Sequence, residues 1–282
     1  MSELDRLSTE GVQPGLEDLN ERPPAAIVDV LLAAEARVPA VLAAAAAQLG
    51  TAVEVVERGL RAGGRLIYVG AGTPGRLAAL DAAECVPTFG VPPGLVVAVL
   101  AGGAEAAARA VEGAEDDAAA GAADLRTLAP GPADTVVGIT ASGRTPFVLG
   151  ALGAARAAGA ATIAIVNNPG SAAAAAADVA VELLTGPEVI AGSTRLTAGT
   201  SQKIALNVLS TAAMVRIGRT HGPWMIDVRA TNQKLRRRAQ RTLVQITGES
   251  EERVAEALRS TGGDTREALA LLRARQPWSQ CP

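Results

Sequence analysis

Five short runs constrain this chain more than any other feature: LIYVG (66–70), LVVAVL (95–100), TVVGIT (135–140), TIAIV (162–166) and DVAVEL (178–183). Each is rich in β-branched residues and apolar nearly throughout, so none offers a polar face to water. Alanine-rich stretches of helical spacing separate most of them, over 75–83, 104–120, 146–158 and, more briefly, 171–177. Apolar strands alternating with helices form βαβ units, in which a parallel sheet is covered on both faces. The expected fold is therefore α/β with five parallel strands. Aromatic residues are only 2% of the chain, so Val, Leu, Ile and Ala must fill the core, and small side chains suit closely approaching layers.

The flanking regions read differently. Residues 1–23 are polar and turn-rich and are expected to wrap a neighbouring surface. Beyond them Ile27, Val30, Leu31, Ala34, Val41, Leu42, Leu49, Val53, Val56 and Leu60 recur at helical spacing. Pro24 and Pro39 suit helix starts, and Gly63-Gly64 suits a helix end. A long helix over 193–219 is expected to follow the last strand, with Ser193 or Thr194 as its cap. Three further helices are predicted over 231–247, 249–258 and 264–273, the last capped by Asp264 of the TGGD turn. Their Ala-Leu faces read as packing, which makes a small C-terminal three-helix bundle. The expected organisation is an N-terminal extension (1–23), an α/β domain with leading helices (24–225) and a helical subdomain (226–282).

Composition narrows the function classes. At 49% hydrophobic and 20% charged, the chain falls among soluble globular proteins. A formal net charge of −3 argues against bulk binding to nucleic acid or an anionic membrane, and KLRRRAQR (234–241) reads as one solvated helix face. No apolar run reaches the roughly 18 residues of a membrane span. The acidic N-terminus is unlike a signal peptide. Cys85 and Cys281 form no C-x-x-C pair, which suits a reducing cytoplasm without a structural disulfide or zinc cluster. His221, the single histidine, excludes a multi-histidine metal site and reads as a turn residue. Cys85 reads as a small buried side chain, and Trp224 and Trp278 as packing anchors.

After the first strand comes G-x-G-x-x-G: Gly70, Gly72 and Gly75. A dinucleotide site would also need an acid about 20 positions on, at the end of the second strand. There the chain reads Ala101-Gly102-Gly103, and the first acid is Glu105, so the nicotinamide reading fails. What is left is a helix N-terminus whose N–H groups and positive end face an anion. TASGRTP (140–146) follows the third strand with Ser142, Gly143 and Thr145, and GSTRLTAGTSQK (192–203) is a third hydroxyl-rich turn. Three such loops at the C-terminal ends of parallel strands point to a phosphate pocket.

GAGTPGR, TASGRTP and GPEVIAGSTRLTAGTSQK resemble a sugar isomerase (SIS) domain. DAAECVPTFGVPP (81–93), AGG (101–103) and VEGAEDD (111–117) narrow the resemblance to the N-acetylmuramic acid 6-phosphate etherase family. It spans roughly residues 40–275 and is most specific over 65–146. The resemblance implies a three-layer αβα sandwich, a cytoplasmic homodimer, a phosphosugar substrate and no cofactor or metal. The implied reaction is cleavage of the D-lactyl ether of N-acetylmuramate 6-phosphate to N-acetylglucosamine 6-phosphate and D-lactate. Carried over residue by residue, it makes Glu84 the proton donor and Glu115 the base. Gly72, Thr73, Ser142, Gly143, Arg144, Thr145 and Ser193 become the substrate and phosphate contacts. The chain departs from the family at Pro74, where a serine is usual, at Thr197, where a lysine is usual, and at TEGVQP in place of a TExRN-type motif.

The implied chemistry accounts for two carboxylates and no metal. With the sugar ring open, the C1 carbonyl acidifies the C2 proton. A base removes that proton while an acid protonates the lactyl oxygen leaving C3. Lodged between Ala83 and Cys85, Glu84 is expected to be buried and so to hold its proton. Asp81, Glu112, Asp116 and Asp117 read as solvated charges. An aldose–ketose isomerase on the same fold needs one base and no leaving-group acid. A sugar-phosphate-sensing regulator would need tandem SIS domains or a DNA-reading segment.

Overall fold

The computed structural model describes residues 7–109, 111–227 and 233–274. Trp278 and Cys281 lie outside them. The chain divides into two compact units, Met1–Ala83 with Gly94–Ala213, and Glu84–Pro93 with Met214–Pro282.

The first unit carries the sheet. Its strands are β1 (Leu66–Gly70), β2 (Val96–Leu100), β3 (Thr135–Thr140), β4 (Ala161–Val166) and β5 (Val179–Glu182). They pair in the order β2-β1-β3-β4-β5, all parallel. The five expected strands thus form within a residue of their expected bounds. The helices are α1 (Pro24–Glu35), α2 (Val38–Ala44), α3 (Ala46–Arg61), α4 (Gly72–Phe89), α5 (Ala118–Thr127), α6 (Pro146–Ala157), α7 (Ala172–Ala176) and α8 (Thr197–Arg216).

Alternate strand residues serve the two layers. Ile67, Val69, Val136, Ala164 and Val166 face a cluster with Leu125 of α5 and Phe147, Val148 and Leu152 of α6. Gly138 makes that approach close, since a Cβ there would lie 2.7 Å from Val148 Cγ1. On the opposite face α3 packs against β1, β3, β4 and β5. There the fully buried Tyr68 directs its hydroxyl to Asp81 of α4. The result is the expected three-layer sandwich.

Several local expectations shift. The leading helical region breaks before Pro39, as the reading of that residue as a helix start implies, and it breaks a second time at Ala45, between α2 and α3. The helix expected over 104–120 is instead two single 3₁₀ turns, Gly103–Ala107 and Ala114–Asp116, before α5. Gly102, Gly103 and Gly113 take φ of +83°, +69° and +73°, which interrupts right-handed helix. Asp117 then starts α5 by accepting the N–H of Ala120. The helix expected from Gly75 starts earlier and runs on to Phe89. The long helix starts at Thr197, four residues later than expected, and Glu188 caps it in place of Ser193 or Thr194.

The N-terminal segment is tied down as anticipated. Buried Asn168, just beyond β4, accepts from Ser8 N (2.7 Å) and Ser8 Oγ (2.9 Å) and donates to Thr9 Oγ1 (2.9 Å). It also donates to the carbonyl of Ala141 at 2.9 Å.

The second unit contains β6 (Thr220–His221), β7 (Trp224–Met225), α9 (Gln233–Thr247), α10 (Glu251–Ser260) and α11 (Thr265–Ala274). The three predicted helices are present, with Asp264 accepting from Glu267 N. Ile226, Leu243, Val254, Ala257, Ala268, Leu269 and Leu272 form its core. His221 pairs in the β6–β7 hairpin and bonds Arg273 through Nε2 at 2.8 Å. Asp227 anchors the unit. Its carboxylate receives Arg266 Nε at 2.5 Å and Nη2 at 2.9 Å, and Arg219 Nη1 lies 3.4 Å away. Among the described residues, no single helix is long and apolar enough to cross a membrane.

Candidate functional site

In a parallel sheet of this order the chain reverses its direction of growth between β1 and β3, and the loops leaving those strands part to form a crevice. Gly70 ends β1 in register with Ile139 of β3, so loops 71–75 and 140–146 open side by side. The three glycines divide the work of the first loop. A Cβ on Gly70 would lie 2.7 Å from Gly75 N, and one on Gly75 only 2.6 Å from Gly70 O, so both permit α4 to start against the end of β1. Gly72, at φ +58°, turns the chain. Pro74 lies in the first turn of α4, where an N–H has no intrahelical acceptor in any case.

The second loop is a network of hydroxyls. Thr140 Oγ1 lies 2.7 Å from Thr145 Oγ1 and accepts from Gly143 N at 3.2 Å. Ser142 Oγ accepts from Arg144 N at 3.2 Å. The backbone N–H groups of Gly143 and Arg144, expected to face a ligand, are thus already held by hydroxyls of their own loop. Gly143, at φ +70°, sits so close to Ser171 that a Cβ would lie 2.1 Å from Ser171 Oγ. No side chain caps α6, which opens at Pro146.

The third loop runs from Glu188 to α8. Gly199, in the first turn of that helix, faces the methyl group of Thr73, which a Cβ there would approach to 3.2 Å. Loops 71–75 and 192–199 therefore meet, and Gly72, Thr73, Ser142, Gly143, Arg144, Thr145 and Ser193 all stand in the three loops of the first unit.

The carboxylates fall elsewhere. Glu115 sits in the 3₁₀ turn Ala114–Asp116 of the first unit and is exposed. Glu84 belongs to the second unit and is also exposed. This corrects the expectation that flanking apolar residues bury it. Cys85 and Phe89, one turn apart, take the inward face of α4, and Glu84 projects from the other. Asp81 reverses the opposite expectation. It is only 8% exposed, accepts from Tyr68 Oη at 2.8 Å and from Ser210 Oγ at 3.1 Å, and ties β1, α4 and α8 together. Burial pushes its carboxyl above the ordinary value of 3.8, against the pull of those two hydroxyls and the charge of Lys203.

Sequence reasoning missed two other buried polar groups. Asn167, at the end of β4, donates to Leu183 O and Ser201 Oγ and accepts from Gln202 Nε2. Glu188 accepts from Thr197 N at 3.0 Å and Ala198 N at 2.9 Å. Neither has a local signature, because their partners lie 9 to 35 residues away.

Comparison with known proteins bears on this geometry. Two family models match: the glucokinase regulatory protein N-terminal SIS domain over residues 48–156, and the SIS domain over 119–212. A protein of Rubrobacter xylanophilus named N-acetylmuramic acid 6-phosphate etherase is 51% identical over 95% of this chain and 89% of its own length. One of the same name from Streptomyces coelicolor is 46% identical, covering 97% of this chain and 88% of that protein. Among solved structures, a putative phosphosugar isomerase involved in capsule formation from Bacteroides fragilis matches with a TM-score of 0.52 at 25% identity, over 71% of this chain and 99% of its own. A strand-end crevice on a parallel sheet of SIS type, with relatives this similar along nearly the whole sequence, leaves one conclusion: the chain belongs to the N-acetylmuramic acid 6-phosphate etherase family.

Proposed function

We propose that this chain is a carbon–oxygen lyase that cleaves the D-lactyl ether of N-acetylmuramate 6-phosphate, releasing D-lactate and N-acetylglucosamine 6-phosphate. The observation that carries the reading is the 51% identity over 95% of the chain to a relative bearing that activity in its name. The hydroxyl-lined loops at the β1/β3 crevice suit a phosphate, and the DAAEC and GAED stretches supply the carboxylates that the resemblance requires.

The step balances without an external reagent. Glu115 takes the C2 proton of the open-chain sugar, the C3–O bond breaks, and Glu84 gives its proton to the departing lactyl oxygen. Water then adds across the C2–C3 double bond, its hydroxyl to C3 and a proton to C2. Each carboxylate in such a role contributes about 10²- to 10⁴-fold in rate. The hydroxyls of Thr73, Ser142, Thr145 and Ser193 hold the phosphate end, in loops that Gly72, Gly143 and Arg144 shape, the N–H groups of the last two being kept by hydroxyls of their own loop. The reading carries a cytoplasmic homodimer, and Val28 and Leu32, exposed at 51% and 63% on α1, suit burial against a second copy.

The test is D-lactate release from N-acetylmuramate 6-phosphate beside the unphosphorylated sugar. Release from the phosphorylated sugar alone is expected, with one deuteron at C2 of the product in D₂O. Glu84→Gln and Glu115→Gln are each expected to lower turnover at least about 100-fold with the fold intact. Near-wild-type turnover in both variants overturns the residue assignment. Interconversion of aldose and ketose without lactate points to the isomerase chemistry named for the Bacteroides neighbour.

A further inference from the structure

The N-terminus of α8 is closed from within. Its first four N–H groups all have partners in the chain: Thr197 N and Ala198 N reach the two carboxylate oxygens of Glu188, Gly199 N reaches Thr194 O at 2.9 Å, and Thr200 N reaches Leu196 O at 2.8 Å. Glu188 is 1% exposed, so its charge is placed against the positive end of that helix without competition from water. The preceding loop is equally committed. Ser193 N bonds Ile190 O at 2.9 Å and Thr194 N bonds Gly192 O at 3.0 Å, with Gly192 at φ +73°. Of the polar groups of Ser193, the hydroxyl is what this loop can offer a ligand as a donor. By contrast α6 opens with no side-chain cap, beside the hydroxyls of Thr140, Ser142 and Thr145.

We propose that Glu188 is a positioning residue. By sealing the start of α8 it holds the 190–194 turn in one conformation and aims the Ser193 hydroxyl at the ligand phosphate, while the phosphate charge is received at the 140–146 loop and the start of α6. Two hydroxyl-bearing strand-end loops thereby do unequal work: 140–146 receives charge, and 190–194 supplies a hydroxyl fixed by an internal anion. The proposal rests on the reading of Ser193 as a phosphate contact.

The experiment measures kcat and KM for lactate release, and the inhibition constant of inorganic phosphate, in wild type, Ser193→Ala, Glu188→Gln, Glu188→Asp and the Ser193→Ala/Glu188→Gln double variant. Glu188→Gln keeps the shape of the side chain but loses the charge and one of its two acceptors. It is expected to raise KM and weaken phosphate about tenfold, with kcat within about twofold. Glu188→Asp, which keeps the charge, is expected to recover part of that loss. The double variant is expected to be no weaker than the weaker single variant, because both act through one hydroxyl. Multiplying losses in the double variant overturn the proposal, as does a Glu188→Gln enzyme that binds phosphate normally while Ser193→Ala does not. Normal phosphate affinity in Ser193→Ala instead removes the reading on which the proposal stands. Thermal unfolding of each variant is the folding control, and a fall in kcat that tracks lost stability, with KM unchanged, marks a merely structural role and also overturns it.

Discussion

Asp81 and Asp134 show how two acids in one unit take opposite signs. Around Asp134, burial pushes the carboxyl up, but hydrogen bonds from the Arg65 side chain, Gly131 N and Arg65 N outweigh it and hold the group below 3.8. Its contribution to stability is present above the unfolded value and is lost as pH falls through the lower folded one. Around Asp81 burial prevails and the folded value lies above 3.8, so the neutral acid is favoured in the folded chain. Its contribution is complete below 3.8 and is lost as pH rises through the folded value. Asp81→Asn mimics the neutral form and can still accept the Tyr68 hydroxyl. Urea unfolding at pH 4 to 8 is expected to show wild type gaining on Asp81→Asn as pH falls, with the variant at least as stable at pH 8. A gap independent of pH counts against a raised carboxyl.

Among the elements, α4 depends on a missing side chain at its start. A Cβ on Gly75 would lie 2.1 Å from Leu100 Cδ1 and 2.6 Å from Gly70 O, so the helix cannot start where it does with any larger residue. Gly75→Ala is expected to cost about 1–3 kcal/mol in chemical unfolding, the usual range for overpacking. It is also expected to raise KM, since the same shift moves Gly72 and Thr73. Gly143 is fixed still more tightly, by its φ of +70° and by Ser171. These glycines give the loops their shape; the hydroxyls beside them give the loops their chemistry.

Across the whole molecule, each unit has its own core and its own polar anchor. In the second, Arg266 bonds both oxygens of Asp227, and Gly90, at φ +61°, lies so close that a Cβ would sit 2.0 Å from Asp227 O. Arg266→Ala leaves the 9%-exposed Asp227 carboxylate, among the described residues, with the longer Arg219 side-chain contact alone. Hydrogen exchange is expected to speed up through α10 and α11, while the amides of Ile67, Val137 and Ile163 in the sheet keep their protection. Equal loss in both units would show that they unfold as one.

The strands, their parallel sense and most helix bounds were legible in the sequence, because period, capping residues and proline act over a few neighbours. Asp264 was recognisable as a cap for the same reason. The glycine and hydroxyl loops could be picked out as strand-end loops, and Glu84 and Glu115 through the motif resemblance. Tertiary structure alone decided that Asp81 is buried and Glu84 exposed, and that Glu188 rather than Ser193 or Thr194 caps α8. Each of those outcomes depends on partners distant in the chain, as with Ser210, 129 residues from Asp81. A side chain's burial and the sharing of its hydrogen bonds are set only when separate elements pack, and local spacing carries no record of that.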